Sequence, residues 1–457
     1  MIANAFGLMF VVTLLQLVMG LGILFRFRLQ APRMQLLGMG MLAGMAAHTL
    51  LVFLLSALRI PITLPTVLLV GLVGAVGANI RVANIGAAYR GLLKRSGERF
   101  QMVDILVLSV AIYFLFISGY AAFYWPVTPF DAMAGIDLVA RTAVTEKTLD
   151  CSIYSTPILQ GHLSNQPFYA PYAMIMQVIY RLIGFPFGQM WLTLMTVASL
   201  TVMWSMLRER LHPVLAGVLW LLFISIPEQF GYTLLLQTDL ANATFYCLGG
   251  ILMVQALQRN DRTRWFASAL FLAAACWSRT ETIILVGVLT AIMTSFAFNR
   301  FEGALRWKAP AITLIAAGVA FALWHVLWFY AYLPVRPDTA RELIMFTPDR
   351  FGAMFNDLVL DVMMDTGYWA YSFVLFALIL ILNAIVNRSV QPLQYLIWTI
   401  VTLLVLLVIG TIFASAVADQ TLRRGLFKLF PFMWMFMAET ALMRSLSERI
   451  RTWELGG

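Results

Sequence analysis

Apolar residues fill long unbroken stretches of this chain and do not alternate with polar ones. Met102 to Trp125, Pro310 to Leu333 and Leu393 to Ala416 each hold the roughly 20 apolar residues that a helix needs to cross a hydrocarbon core. The same criterion predicts spans at 4–25, 35–57, 62–80, 103–124, 189–206, 213–226, 238–257, 264–279, 283–298, 310–333, 367–387, 393–416 and 429–444, about thirteen in all. Membrane-barrel strands are only about 10 residues long and alternate strictly. The pattern therefore predicts an all-α polytopic membrane protein. A further helical stretch, Tyr169 to Leu182, is too short to cross comfortably and ends at Gly184-Phe185-Pro186, which places it on the outer surface.

Composition agrees with the pattern. Of 457 residues, 61% are hydrophobic and 12% charged, more apolar surface than a soluble core can hide. The net charge of +9 would suggest nucleic acid in a soluble protein, but in a membrane protein it reports orientation first, so no nucleic-acid partner is inferred. With the short helix not crossing, the inner loops collect 20 Lys and Arg and the outer loops 11, which puts the N-terminus outside and the C-terminus in the cytoplasm. The first apolar stretch is followed by Arg26 and Arg28 and preceded by no positive residue, the reverse of a secretory signal. Cys151, Cys247 and Cys276 suggest neither a disulfide framework nor a metal cluster.

Two outer loops stand out by length, about Pro126 to Ala170 and Pro334 to Thr366, and long ordered loops tend to carry function. The first three spans and the basic linker Arg81 to Arg99 (residues 1–100) form an accessory unit ahead of residues 101–457. In the first long loop, Asp131 opens an amphipathic helix with Met133, Ile136 and Ala140 on one face. Asp131 is either its cap or a carboxylate held ready just outside the membrane. Asp137 and Arg141 have the spacing of a helical ion pair.

Further acidic groups fall where spans meet the outer face: Glu228, Asp239, and Glu281 in Ser278-Arg279-Thr280-Glu281. Ionisable groups at that depth usually face a cavity and partner one another. The plainer readings are an N-cap for Asp239 and a local contact between Arg279 and Glu281. Near the last span, Arg423, Arg424 and Lys428 put positive charge on the face where it is otherwise sparse. Guanidinium groups bind phosphate in forked pairs, and long cationic side chains also snorkel to headgroups. His48, His162, His212 and His325 are scattered without metal-ligand spacing, and no phosphate-binding loop, dinucleotide fingerprint or zinc motif occurs.

In order along the chain, these segments resemble the GT-C class of membrane glycosyltransferases, the polyprenyl-phosphate-sugar enzymes of protein mannosyltransferase and aminoarabinose transferase type. Phe130-Asp131-Ala132 followed by Ala140-Arg141 is similar to that class's Trp-Asp-Ala and Lys-Ala-Lys/Arg pattern in the first outer loop. Asn165-Gln166-Pro167-Phe168-Tyr169-Ala170-Pro171-Tyr172 resembles its proline-rich loop. Ile226-Pro227-Glu228 with Thr238-Asp239, Trp277 to Glu281, and Arg423-Arg424 ahead of Pro431 resemble later segments. The likeness covers about residues 103 to 444; Phe130 and Ile136 stand where the class has tryptophans, and Val139 where it has lysine.

The resemblance implies an inverting transferase in a bacterial inner membrane with its site facing the periplasm. Asp131 would be the base, and Arg423 and Arg424 would hold the donor phosphate, with Glu228, Asp239, Arg279 and Glu281 lining the site. The donor would be a polyprenyl-phosphate sugar and the acceptor a glycan, lipid or protein hydroxyl. A bound divalent metal is compatible with the class. The competing class is a polytopic transporter or lipid-linked-glycan flippase, although neither inverted repeats nor paired broken spans are visible. A membrane subunit that only binds a partner is a third class.

Overall fold

The computed structural model describes residues 2–80, 82, 85–93, 101–154, 169–303, 305–331, 346–386, 392–413 and 416–456. Among these residues the chain is helical, with no β-strand. Eight helices are long and apolar enough to cross a membrane: Ala3–Arg26, Arg33–Ala57, Met102–Tyr124, Met190–Arg208, Asp239–Arg259, Thr282–Asn299, Leu305–Ala331 and Leu393–Ile412. The other predicted stretches fall on shorter helices, Leu64–Asn79, Pro213–Ile224, Arg262–Ser278 and Ser372–Val386. The stretch predicted at 429–444 divides into Phe430–Glu439 and the polar helix Ala441–Gly456, because Thr440 takes an extended backbone between them. The Thr440 hydroxyl donates to the Met437 carbonyl at 2.7 Å, which satisfies an otherwise orphaned acceptor at the break.

Below, α1 is Ile2–Arg26, α2 Arg33–Ala57, α3 Leu64–Asn79, α4 Ile85–Leu93, α5 Met102–Tyr124, α6 Asp137–Glu146, α7 Tyr172–Leu182 and α8 Met190–Arg208. The helix pair α1 and α2 crosses so closely that a Cβ on Gly44 would lie 1.7 Å from the Gln16 carbonyl oxygen, and one on Gly20 equally near that of Gly40. Only glycine permits this approach, and small residues are what membrane helices use to let backbones meet. The first three helices share one hydrophobic core with the remainder of the chain. Phe53 on α2 packs its ring on Trp277, Trp324 and Trp328, and Trp277 donates to the Thr49 hydroxyl at 3.0 Å.

Helices α5 and α8 run antiparallel and are tied at both ends. Gln189 donates to the Trp125 carbonyl at 3.0 Å at one end, and Arg208 pairs with Asp104 at 3.4 Å at the other. The intervening segment therefore leaves and returns at the same end of the bundle, so α7 does not cross. It is not laid on the surface, however: Tyr172 to Tyr180 are buried within the protein. The buried Asp137 carboxylate holds α6 to α7, accepting from Arg181 at 2.6 Å and Gln177 at 2.9 Å while pairing with Arg141 at 3.2 Å.

The next helices are α9, Pro213–Ile224; α10, Pro227–Gly231; α11, Asp239–Arg259; α12, Arg262–Ser278; and α13, Thr282–Arg300. The far end of the bundle is closed by ion pairs. Arg210 meets the buried Glu439 at 2.8 Å, Arg264 meets Asp261 at 3.3 Å, and Arg264 also donates to the Gln30 carbonyl at 2.8 Å. The near end, where α5, α9 and α12 finish and α8, α11 and α13 begin, carries the charges singled out from the sequence.

Candidate functional site

The site is built around the start of α11. Thr238 is the N-cap residue there and makes no side-chain capping bond, so Asp239 lies in the first turn, where a carboxylate is favoured by the helix dipole. It does not act as the N-cap. Its carboxylate is 1% exposed and forms an ion pair with Arg279. Arg279 pairs equally with Glu281, the local contact expected from the sequence. Asn242, one turn into α11, fixes this geometry: its amide donates to the Ala275 carbonyl at 2.8 Å, Ser278 at 3.1 Å and Thr282 at 2.7 Å. A single buried side chain thereby ties the start of α11 to the end of α12 and the start of α13, flanking Arg279 on both sides.

Arg423 and Arg424 come from a π-helical turn, Ala418–Leu422, that runs into Arg423–Gly425. They do not snorkel outward. Arg423 forms an ion pair with Glu228 on α10 at 2.9 Å and lies over the Tyr368 ring at 4.2 Å. The neighbouring Trp369 packs on Phe427 and Phe430, so the short helix Thr366–Trp369 that follows the second long loop braces the Arg423–Glu228 pair. Arg424 donates from Nε to the Gln420 carbonyl at 2.9 Å, and its Nη1 stands 3.7 Å from the Asp239 carboxylate. The third cation, Lys428, is 1% exposed on a 3-10 turn beneath them. Burial raises the Glu228 carboxyl above the usual range, opposed by Arg423 and Arg424.

Asp131 reaches the same place from the first long loop. It makes no capping hydrogen bond to the turn that follows. That turn, Ala132–Ile136, is π-helical before α6 begins. The extra residue per turn rotates Met133 outward to 42% exposure, while Ile136, Val139, Ala140 and Ala143 stay buried; the expected face of Met133, Ile136 and Ala140 is corrected accordingly. Tyr169 joins the two halves of the site. Its hydroxyl is raised above the ordinary tyrosine range by burial first, is opposed by Arg279 and Arg424, and is raised further by Glu281 and Asp131. The Arg279 guanidinium lies 5.8 Å from its ring centre.

No family model, curated protein or solved structure matches this chain.

All seven residues picked from the sequence thus gather at one end of the bundle: Asp131, Glu228, Asp239, Arg279, Glu281, Arg423 and Arg424. Tyr169, Tyr368, Lys428, Asn242 and His325 were not among them. His325, on the π-helical segment Leu323–Trp328, contacts Thr280 at 2.8 Å. Its neighbour in the sequence gives no hint of this, because the contact spans 45 positions. Tyr169 stood in the Asn165 to Tyr172 segment, where nothing marked its ring as a neighbour of Arg279. His48 and His212 are structural, bonding Gln16 and the Val67 carbonyl, and Glu454, respectively. His162 and the segment Asn165 to Phe168 lie outside the described residues, as do 332–345 of the second loop. Among the described residues, no three His, Cys, Asp or Glu side chains gather as a ligand set for a divalent ion.

Proposed function

We propose that this chain is a GT-C-like membrane glycosyltransferase in which the shorter apolar helices cross beside the eight long ones, about thirteen crossing helices in all. In this reading its site faces the periplasm of a bacterial inner membrane, with the N-terminus on that side and the C-terminus in the cytoplasm. The donor is a polyprenyl-phosphate sugar and the acceptor a hydroxyl of a glycan, lipid or protein. One observation carries the reading: charged groups from distant parts of the sequence close into one cluster, with Asp239 and Glu281 on Arg279, Glu228 on Arg423 and Arg424 3.7 Å from Asp239, and the first-loop Asp131 lies near the same Tyr169 that the Arg279 guanidinium faces.

The chemistry needs these two groups on one reacting centre. The acceptor oxygen forms a bond to the anomeric carbon as that carbon's bond to the donor phosphate breaks, its electron pair leaving on the phosphate oxygen. The hydroxyl becomes acidic during bond formation, and Asp131 accepts its proton then, so placement matters more than a raised resting pKa. The leaving phosphate is weakly basic and needs charge stabilisation in place of protonation, which a part-buried guanidinium at the rim of the site supplies. A single displacement inverts the anomeric centre.

The test supplies labelled polyprenyl-phosphate sugar and candidate acceptors to the purified chain in detergent. Transfer or hydrolysis that is lost in Asp131→Asn is expected. Movement of the labelled lipid in sealed vesicles, with no turnover in detergent, assigns the chain to the transporter class and overturns the reading.

A further inference from the structure

The Asp137 carboxylate that holds α6 to α7 faces two guanidinium groups, and they are used unequally. Arg181 is fully engaged: its Nε and Nη2 donate to Asp137, and its Nη1 donates to the Pro186 carbonyl at 2.7 Å. Arg141 meets Asp137 through Nε at 3.2 Å and is 53% exposed, and its two Nη nitrogens make no bond among the described residues. Two cations on one carboxylate leave a net positive charge. Both arginines line an open cleft of about 380 Å³, together with Val144, Thr145, Phe185 and Pro186. The cleft shares no lining residue with the cluster around Arg279.

The apolar side of the cleft continues onto the helices beside it. Phe185 packs on Phe6 at the start of α1 with ring centres 5.4 Å apart, and Phe6 stacks on Phe123, in the last turn of α5, at 5.6 Å. From that cluster Phe6, Phe10 and Leu14 form one exposed stripe along α1, and Tyr124, Tyr120 and Phe116 form another along α5. Residues at this spacing share a helix face. A cationic cleft at the head of two apolar stripes, with tyrosines at the end nearest it, has the layout of a phospholipid at a membrane interface.

We propose that the α6–α7 cleft binds an anionic phospholipid: the headgroup phosphate takes the open Nη edge of Arg141, and the acyl chains lie along the stripes of α1 and α5. The site is independent of the transferase reading. The guanidinium edge offers two parallel donors to two phosphate oxygens. Arg181 is a positioning residue, whose bonds to Asp137 and Pro186 hold the wall of the cleft. A zwitterionic headgroup fits less well, because its own cation faces the net positive charge. Free phosphate forgoes the apolar contact along the stripes.

The test is native mass spectrometry of the purified full-length chain from a neutral maltoside detergent, with phosphatidylglycerol, phosphatidylcholine of the same chains, and inorganic phosphate as competitor. The first phosphatidylglycerol binds about tenfold or more tightly than phosphatidylcholine, the weight of one charge-assisted hydrogen bond, and equimolar phosphate does not displace it. Arg141→Gln brings the two lipids within about threefold of each other. Val144→Glu, which sets a carboxylate in the cleft, does the same by another route. Without lipid, Arg141→Gln keeps the parental thermal midpoint, because a half-exposed helical pair contributes little to stability, and this separates lost binding from lost folding. Equal affinity for the two lipids in the parent chain, a preference that persists in Arg141→Gln and Val144→Glu, or displacement of the lipid by equimolar phosphate each overturns the proposal.

Discussion

Replacing Asp239 by Asn removes the charge on which the positive side of the site is assembled while keeping its shape. The carboxylate is 1% exposed, pairs directly with Arg279, and faces Arg424 at 3.7 Å. At an effective dielectric near 20, the Arg424 attraction alone is about 4.5 kcal/mol, and the Arg279 attraction is larger because the groups touch. Much of this gain is offset by the desolvation of burying the groups, so the measurable quantity is the loss on breaking a buried pair, about 3–5 kcal/mol. Glu281 still holds Arg279 in the variant, which puts the expected loss near the lower figure, about 3 kcal/mol. That is roughly a hundredfold change in the unfolding equilibrium.

Reversible denaturant unfolding in mixed micelles, followed by tryptophan fluorescence, reads this loss. A double-mutant cycle with Arg279→Gln should return a coupling of at least about 1.5 kcal/mol, as contacting charged residues do. A single variant within about 0.5 kcal/mol of the parent, with no coupling in the cycle, would refute the reasoning that Asp239 anchors the cluster.

Three further outcomes follow from the same geometry. Burial, reinforced by the Arg279 guanidinium, brings the Lys428 ammonium down to about 8, so the positive charge beneath the arginines is lost, and affinity for a singly charged prenyl phosphodiester should fall, as pH rises through 8. Titration from pH 6 to 10 checks this, and the fall should be absent in Lys428→Gln. Gly44→Ala, whose methyl would strike the Gln16 carbonyl, should force α1 from α2 and destabilise the chain by more than about 2 kcal/mol, measurable as a lowered thermal midpoint. Asp137→Asn leaves the part-buried Arg181 beside a neutral amide, so the α6–α7 segment should become accessible to protease before the bundle unfolds.

Much of the architecture was legible because membrane spans are written in composition. Long apolar runs such as Met102 to Tyr124 leave no alternative to a helix, and the helix bounds moved by only a few residues. The breaks were harder to foresee. Thr440 ends a helix by a backbone turn that its own hydroxyl satisfies, and Ala370 reaches φ 51° inside an apolar run, neither of which shows in hydropathy. Charges near span ends announced the site, since burying Asp239 or Arg279 needs a partner. Which partner each takes depends on helix packing: Asn242 was invisible as a tie because its three acceptors lie 33 to 40 positions away. Lys428 read as one more basic residue in Arg423-Arg424-Gly425-Leu426-Phe427-Lys428, yet the turn buries it while leaving the arginines at the rim.

The central claim is that Asp131 and the arginine cluster serve one reacting centre. Single-turnover transfer from labelled polyprenyl-phosphate sugar, measured on Asp131→Asn beside the parent chain, tests it most directly. The account predicts a fall of about 10²–10⁴-fold in rate, the contribution of a positioned general base, with donor phosphate affinity and thermal midpoint unchanged. Transfer at the parental rate by a folded, donor-binding Asp131→Asn chain would contradict it.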